Sequence, residues 1–211
     1  MALALAMVGG ALLGVAPTAQ AATTTCGNAC VSLYSQMLGS GQVLANGPKE
    51  GFPPPGCNNS KPTCGDSVML AQAGNGNANE DFFGNNEGTV AQFAQAGLLS
   101  DNLTLHYAND SVFEFEYAPD GMASGQCVGS YLGIVLQPCG TNDKTLFIVD
   151  SANAVNGFSD LISGTTTTFS NPMVLTVSTG GPRQLSLATL SQSGTTVSDT
   201  QMWADQVGVL P

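Results

Sequence analysis

The chain reads as a mainly β protein, a small barrel or sandwich preceded by a short helical, loop-rich and disulfide-stapled segment. Three observations point there. From residue 101 onward, apolar and polar residues alternate with period two in short runs. Clusters of Gly, Asn, Asp and Pro separate these runs, the punctuation of a many-stranded β domain. Six cysteines follow an apolar N-terminal stretch, an even count that suits an oxidising compartment.

Taken in order, residues 1–21 read as a secretion signal: an apolar run ending in the small-residue pattern Ala19-Gln20-Ala21. No Lys or Arg precedes Lys49, so the usual positive start is missing. The apolar stretch is too short and too rich in glycine for a spanning helix, which needs about 20 apolar residues. No membrane insertion is expected once the signal is removed, and the mature chain is expected to be extracellular. Val31, Tyr34, Met37 and Leu38 sit at helical spacing, which predicts a short helix between Cys26 and Gly39. Proline density between Asn46 and Cys64 excludes regular structure there. The Asn- and Gly-rich run from Gly74 to Gly88 reads as a solvated loop. Thr89-x-x-Gln92 is a capping box that opens a second helix ending at Gly97. Residues 22–100 thus form a helical and loop-rich extension sharing one core with the β-rich domain at 101–211. That domain holds seven candidate strands, at 103–109, 112–118, 134–139, 145–151, 173–178, 183–190 and 201–210.

Composition narrows the partners. Four basic residues stand against fifteen acidic ones, a net charge of −11, which repels phosphate backbones and disfavours nucleic acid. Sequence allows fifteen pairings of the six cysteines. The shortest loops would join Cys26 to Cys30, Cys57 to Cys64 and Cys127 to Cys139. No cofactor or metal is expected: the Cys57/Cys64 spacing matches no zinc knuckle, and a calcium loop counted from Asn75 would place Glu80 where Gly is required.

A polar turn leading into an aromatic-bearing strand occurs at Asp110 to Phe115, at Asp143 to Ile148 and at Asp199 to Trp203, with spacings of 33 and 56 residues. The stretch from Gly125 to Asp150 carries Cys127 and Cys139, and Gln201-Met202-Trp203 is a Gln-x-Trp signature. On these residues the chain resembles the ricin-type lectins, whose subdomains pair cysteines in this way and close with Gln-x-Trp. The resemblance implies a threefold β-trefoil, a bridged Cys127 and Cys139, and carbohydrate binding. Gly129 stands where those lectins carry an Asp that accepts from sugar hydroxyls. The stretch from Cys127 to Asp150 also resembles uncharacterised secreted actinobacterial proteins.

Chemistry-bearing residues are few. His106 is the only histidine, and no Gly-x-Ser-x-Gly elbow accompanies it; strand alternation assigns it to a surface face. Glu114 and Glu116 share one face of a strand whose other face is aromatic, the pattern of a solvated outer surface rather than of a glycosidase pair. Trp203 is the only tryptophan, and its apolar neighbours favour the core, although a lone Trp also suits sugar stacking. Tyr131, Asn142, Asp143 and Trp203 are the candidate contact residues. The function expected is extracellular binding by a non-enzymatic protein, with a glycan or another cell-surface component as partner. Self-association at the surface is the alternative and secreted hydrolysis the third reading.

Overall fold

A computed structural model describes residues 30–47, 66–73, 78–131, 133–140, 142–178 and 185–207. Within these the strands are β1 (Val31–Ser35), β2 (Gln42–Asn46), β3 (Val68–Gln72), β4 (Phe82–Thr89), β5 (Ser111–Tyr117), β6 (Gln126–Ser130), β7 (Ile134–Pro138), β8 (Phe147–Val149), β9 (Ser159–Ser163), β10 (Met173–Val177), β11 (Leu185–Thr189) and β14 (Met202–Val207). A two-strand ribbon, β12 (Gln192–Ser193) with β13 (Thr196–Val197), stands apart. Two short helices, α1 (Val90–Gln95) and α2 (Thr104–Tyr107), join β4 to β5.

The strand pairings close a ring. β1 pairs with β14, β14 with β9, β9 with β8, β8 with β5, β5 with β4, and β4 with β1, all antiparallel. Three hairpins, β2–β3, β6–β7 and β10–β11, extend from β1, β5 and β9. A six-stranded closed barrel with three hairpins is the β-trefoil architecture, and closure leaves the barrel itself without edges.

Register defines the three units. Phe82 pairs with Val31, Phe147 with Phe113 and Trp203 with Ser159. Phe82, Phe147 and Trp203 are therefore equivalent, and all three are buried at 0–2% exposure in one core cluster with Leu33, Phe115 and Leu161. The polar-aromatic marks read from sequence are out of phase with this relation. Phe113 lies on the first strand of its unit, whereas Phe147 and Trp203 lie on last strands. The signature that repeats is polar-x-aromatic: Glu80-Asp81-Phe82, Thr145-Leu146-Phe147 and Gln201-Met202-Trp203.

Three local expectations are corrected. The helix expected over Cys26–Gly39 is strand β1 where it is described, because Val31 and Leu33 line the barrel and β1 is paired on both sides by β14 and β4. Of the Asn- and Gly-rich run, residues 82–88 belong to β4, where Asn86 and Glu87 are exposed; Gly88, at φ +136°, accommodates a register shift after Asn86. The strand expected at 103–109 is a 3-10 turn followed by α2. Among the described residues before position 101, β1 and β4 are barrel strands, β2 and β3 form a hairpin, and Leu33, Leu44, Leu70 and Phe82 lie in one core cluster with Phe115 and Phe147. The capping box is present: Thr89 Oγ1 accepts from Gln92 N, and Gln92 Oε1 accepts from Thr89 N at 2.9 Å.

α1 and α2 lie on the outside of the barrel. Val90, Leu103 and Tyr107 pack on Val112, Ile148, Ile162 and Val174, a second apolar layer. Cys127 and Cys139 form a disulfide. Cys30 is also disulfide-bonded, to a cysteine outside the described residues, so the other two expected pairings lie outside the description. Among the described residues no helix is long and apolar enough to cross a membrane.

Candidate binding site

The β6–β7 hairpin projects from the middle unit and is closed at its base by the Cys127–Cys139 bridge. At its tip the Tyr131 N–H donates to the Gly133 carbonyl at 2.9 Å, and Gly133 supplies φ +144°, a conformation costly for any side chain. This turn leaves the Tyr131 ring 41% exposed. The returning loop is shaped by Asn142, whose Oδ1 accepts from Lys144 N at 2.9 Å, a local side-chain turn. The Lys144 carbonyl accepts from Ser130 N at 3.0 Å and so docks the loop on the hairpin. Lys144 Nζ consequently lies 4.8 Å from the Tyr131 ring centroid, a cation–π arrangement.

Behind this tip, Glu114 anchors the loop. It is 5% exposed and accepts from Gly140 N at 2.8 Å and from the Thr145 hydroxyl. Glu116 accepts from Gly125 N at 2.7 Å. The outer-face carboxylates are thus clamps for neighbouring backbone rather than a solvated surface, which corrects the expectation for Glu114. Glu114 also neighbours Cys127 and Cys139, but sulfurs joined to each other offer no thiolate to a metal.

Of the sequence candidates, Asn142 and Asp143 lie on the loop whose Lys144 reaches the Tyr131 ring. Trp203 is elsewhere: it is 2% exposed, and its Nε1 donates to the Leu175 carbonyl at 2.8 Å. It anchors the core, as its neighbours suggested, and offers no exposed platform. Gln201, the first residue of the Gln-x-Trp signature, is buried; it accepts from Ser191 N and donates to Thr189 O and Thr176 Oγ1. Lys144 is the member sequence reading passed over. Its signal was present: it is one of only four basic residues and follows Asn142-Asp143 directly. Gly129 is tightly enclosed. A Cβ there would stand 2.7 Å from Gln137 Nε2 and 3.2 Å from the Lys144 carbonyl, so a ligand-contacting side chain at this position would have to displace Gln137.

His106 is exposed on α2 and packs against Phe169 with ring centroids 3.9 Å apart and the rings tilted by 40°. Its exposure agrees with expectation, but it comes from a helix face rather than from strand alternation. A separate acidic cluster, Asp110, Asp150 and Asp160, lies beside the second apolar layer. Burial pushes Asp160 up to about 7, and the like charges of Asp150 and Asp110 add to this. Burial and then Asp110 likewise raise Asp150, while Tyr107 is pushed up to about 12 by burial first and the three carboxylates next. Asp110 accepts from the Ser151 hydroxyl, and Asp150 accepts from Ala152 N at 2.8 Å and Asn153 Nδ2 at 2.9 Å. Both oxygens of Asp160 are buried and, among the described residues, without a close hydrogen-bond partner, the Asn153 side chain only partly offsetting the rise. At 0% exposure Asp160 cannot touch a solute, so its chemistry is expressed in stability.

No protein-family model matches the chain, and no curated protein matches it. Among solved structures, the fold is similar to part of a mosquitocidal holotoxin, with a TM-score of 0.50 and 10% identity over 84% of this chain. The chain spans 17% of the length of that protein. At such identity the likeness is one of fold alone.

Proposed function

We propose that this chain is an extracellular carbohydrate-binding protein whose contact surface is the tip of the β6–β7 hairpin. The observation that carries the reading is the convergence of the exposed Tyr131 ring, the Lys144 ammonium beside it, and Asn142 and Asp143 on the same short loop. Flat rings pack on the C–H faces of sugars, while amides and charged groups select hydroxyl positions. The disulfides favour an oxidising compartment, which supports export. The lectin resemblance supports the same reading, with the contact moved from position 129, which is enclosed, to the hairpin tip.

A glycan array probed with the mature, disulfide-intact chain tests this, followed by calorimetric titration of the hits. Saturable binding that falls at least tenfold in Tyr131→Ala, about 1.4 kcal/mol, is the expected result. An array with no hits, or hits bound equally by Tyr131→Ala, would overturn it.

The self-association reading rests on β11, which among the described strands pairs with β10 alone and so offers an edge. Sedimentation velocity showing a monomer across a wide concentration range excludes it.

A further inference from the structure

The barrel end opposite the hairpins is separate from the Tyr131 loop. A cavity of about 140 Å³ opens there. Its floor is Leu33, Phe115, Leu161 and Trp203, and its rim is set by the threefold register. Val31, Phe113 and Ser159 are equivalent on the first strands; Gly84, Val149 and Asp205 are equivalent on the last. The middle unit fills its share of the mouth with Phe113 and Val149. The first unit has Gly84 where Val149 stands, and the third has Ser159 and Asp205 in place of two apolar residues. A Cβ at Gly84 would stand 3.2 Å from Val31, so Val31 closes the first unit's share and the void follows from the third unit's Ser159 and Asp205; a closed barrel of this size is normally filled by side chains. Trp203 Nε1 is already committed to Leu175, so the floor is apolar, and the polar groups at the rim are the Ser159 hydroxyl and the exposed Asp205 carboxylate.

We propose that the barrel mouth binds a small molecule with one apolar ring and a cationic ammonium head, of the arylalkylamine class. A dry cavity of about 150 Å³ accepts benzene, so this volume takes a single ring. The carboxylate of Asp205 at the entrance selects the charge of the end left in solvent. No residue of the Tyr131 site takes part, so this inference stands or falls separately from the glycan reading.

The test is an amide NMR titration of the disulfide-intact chain with phenethylamine, toluene and phenylacetate, with the Trp203 indole N–H as reporter of the floor. Phenethylamine and toluene are expected to give saturable shifts at Val31, Gly84, Phe113, Ser159 and Trp203, with phenylacetate weakest. Asp205→Asn should bring phenethylamine to the affinity of toluene, a two- to fivefold loss of the kind a partly exposed charge pair gives. A preference for the amine that survives Asp205→Asn would reflect only the net charge of −11 and would overturn the assignment of the head group. Ser159→Phe and Ser159→Val, which copy the other two units into the third, should weaken all probes at least tenfold, and Tyr131→Ala should change none. No saturable shift in the wild-type chain, or binding unaltered in a folded Ser159 variant, would overturn the site.

Discussion

The indole N–H of Trp203 donates to the carbonyl of Leu175 at 2.8 Å, tying the last barrel strand to the third hairpin. Its equivalents Phe82 and Phe147 fill the same core position without a ring N–H to donate. Trp203→Phe should therefore pack acceptably yet leave a buried carbonyl unpaired, costing about 1–3 kcal/mol. Urea unfolding followed by circular dichroism measures this. As the only tryptophan, Trp203 also makes intrinsic fluorescence a direct report of the core, blue-shifted when folded and red-shifted on unfolding. A fluorescence maximum near that of free indole in the native chain would place Trp203 in solvent and contradict the packing.

Asp160 sets a pH dependence whose sign is opposite to that of a salt-bridged carboxylate. Its folded value, about 7, lies above its ordinary 3.8, so the folded chain holds a proton that the unfolded chain releases. The stability it contributes is full below about pH 4 and is lost as pH rises through 7, on the order of 4 kcal/mol in all. Asp160→Asn removes this slope. Unfolding free energies of wild type and variant from pH 4 to 8 should diverge in favour of the variant as pH rises. Parallel curves would show that burial does not perturb Asp160.

The Cys127–Cys139 bridge spans a separation of 12 residues, for which the chain-entropy account gives about 3 kcal/mol. Replacing both cysteines by alanine should lower stability by about that amount and loosen the base of the β6–β7 hairpin. Hydrogen exchange should register the loosening at Cys127, Val128 and Leu136 before it reaches the barrel strands. Exchange that accelerates equally everywhere would mean the bridge holds the whole fold rather than this hairpin.

Local signals were the legible ones. The Thr89/Gln92 capping box could be read because both partners lie within one turn of helix. β5, β7, β8, β10, β11 and β14 alternate or carry β-branched runs that announce themselves. β1 was misread because Val31, Tyr34, Met37 and Leu38 fit a helix locally, while the pairing that makes it a strand comes from β14 at the other end of the chain. β4 was hidden by its Asn and Gly content, which locally spells a turn, although Gly84 pairs with Phe115 and Asn85 with Glu114 in the ladder. Leu103, Leu105 and Tyr107 alternate like a strand, yet Leu103 and Tyr107 also lie four apart, and the apolar layer over Ile148 and Ile162 chose the helix.

The candidate site was half legible. Tyr131, Asn142 and Asp143 are candidates by residue type, although nothing local separates Tyr131 from Tyr34, Tyr107 and Tyr117. Their meeting depends on the register of β6 with β7 and on the Ser130–Lys144 backbone hydrogen bond, which no local pattern encodes. Trp203 illustrates the reverse: its type suits a sugar platform, and its burial between three strands rules that out.

The most direct measurement is an amide NMR titration of the disulfide-intact chain with the strongest glycan from the array, mapped residue by residue. The account predicts saturable shifts centred on Tyr131, Asn142, Asp143 and Lys144, lost in Tyr131→Ala while the melting temperature stays unchanged. Shifts centred on another unit, or a Tyr131→Ala chain that binds as well as wild type, would contradict it.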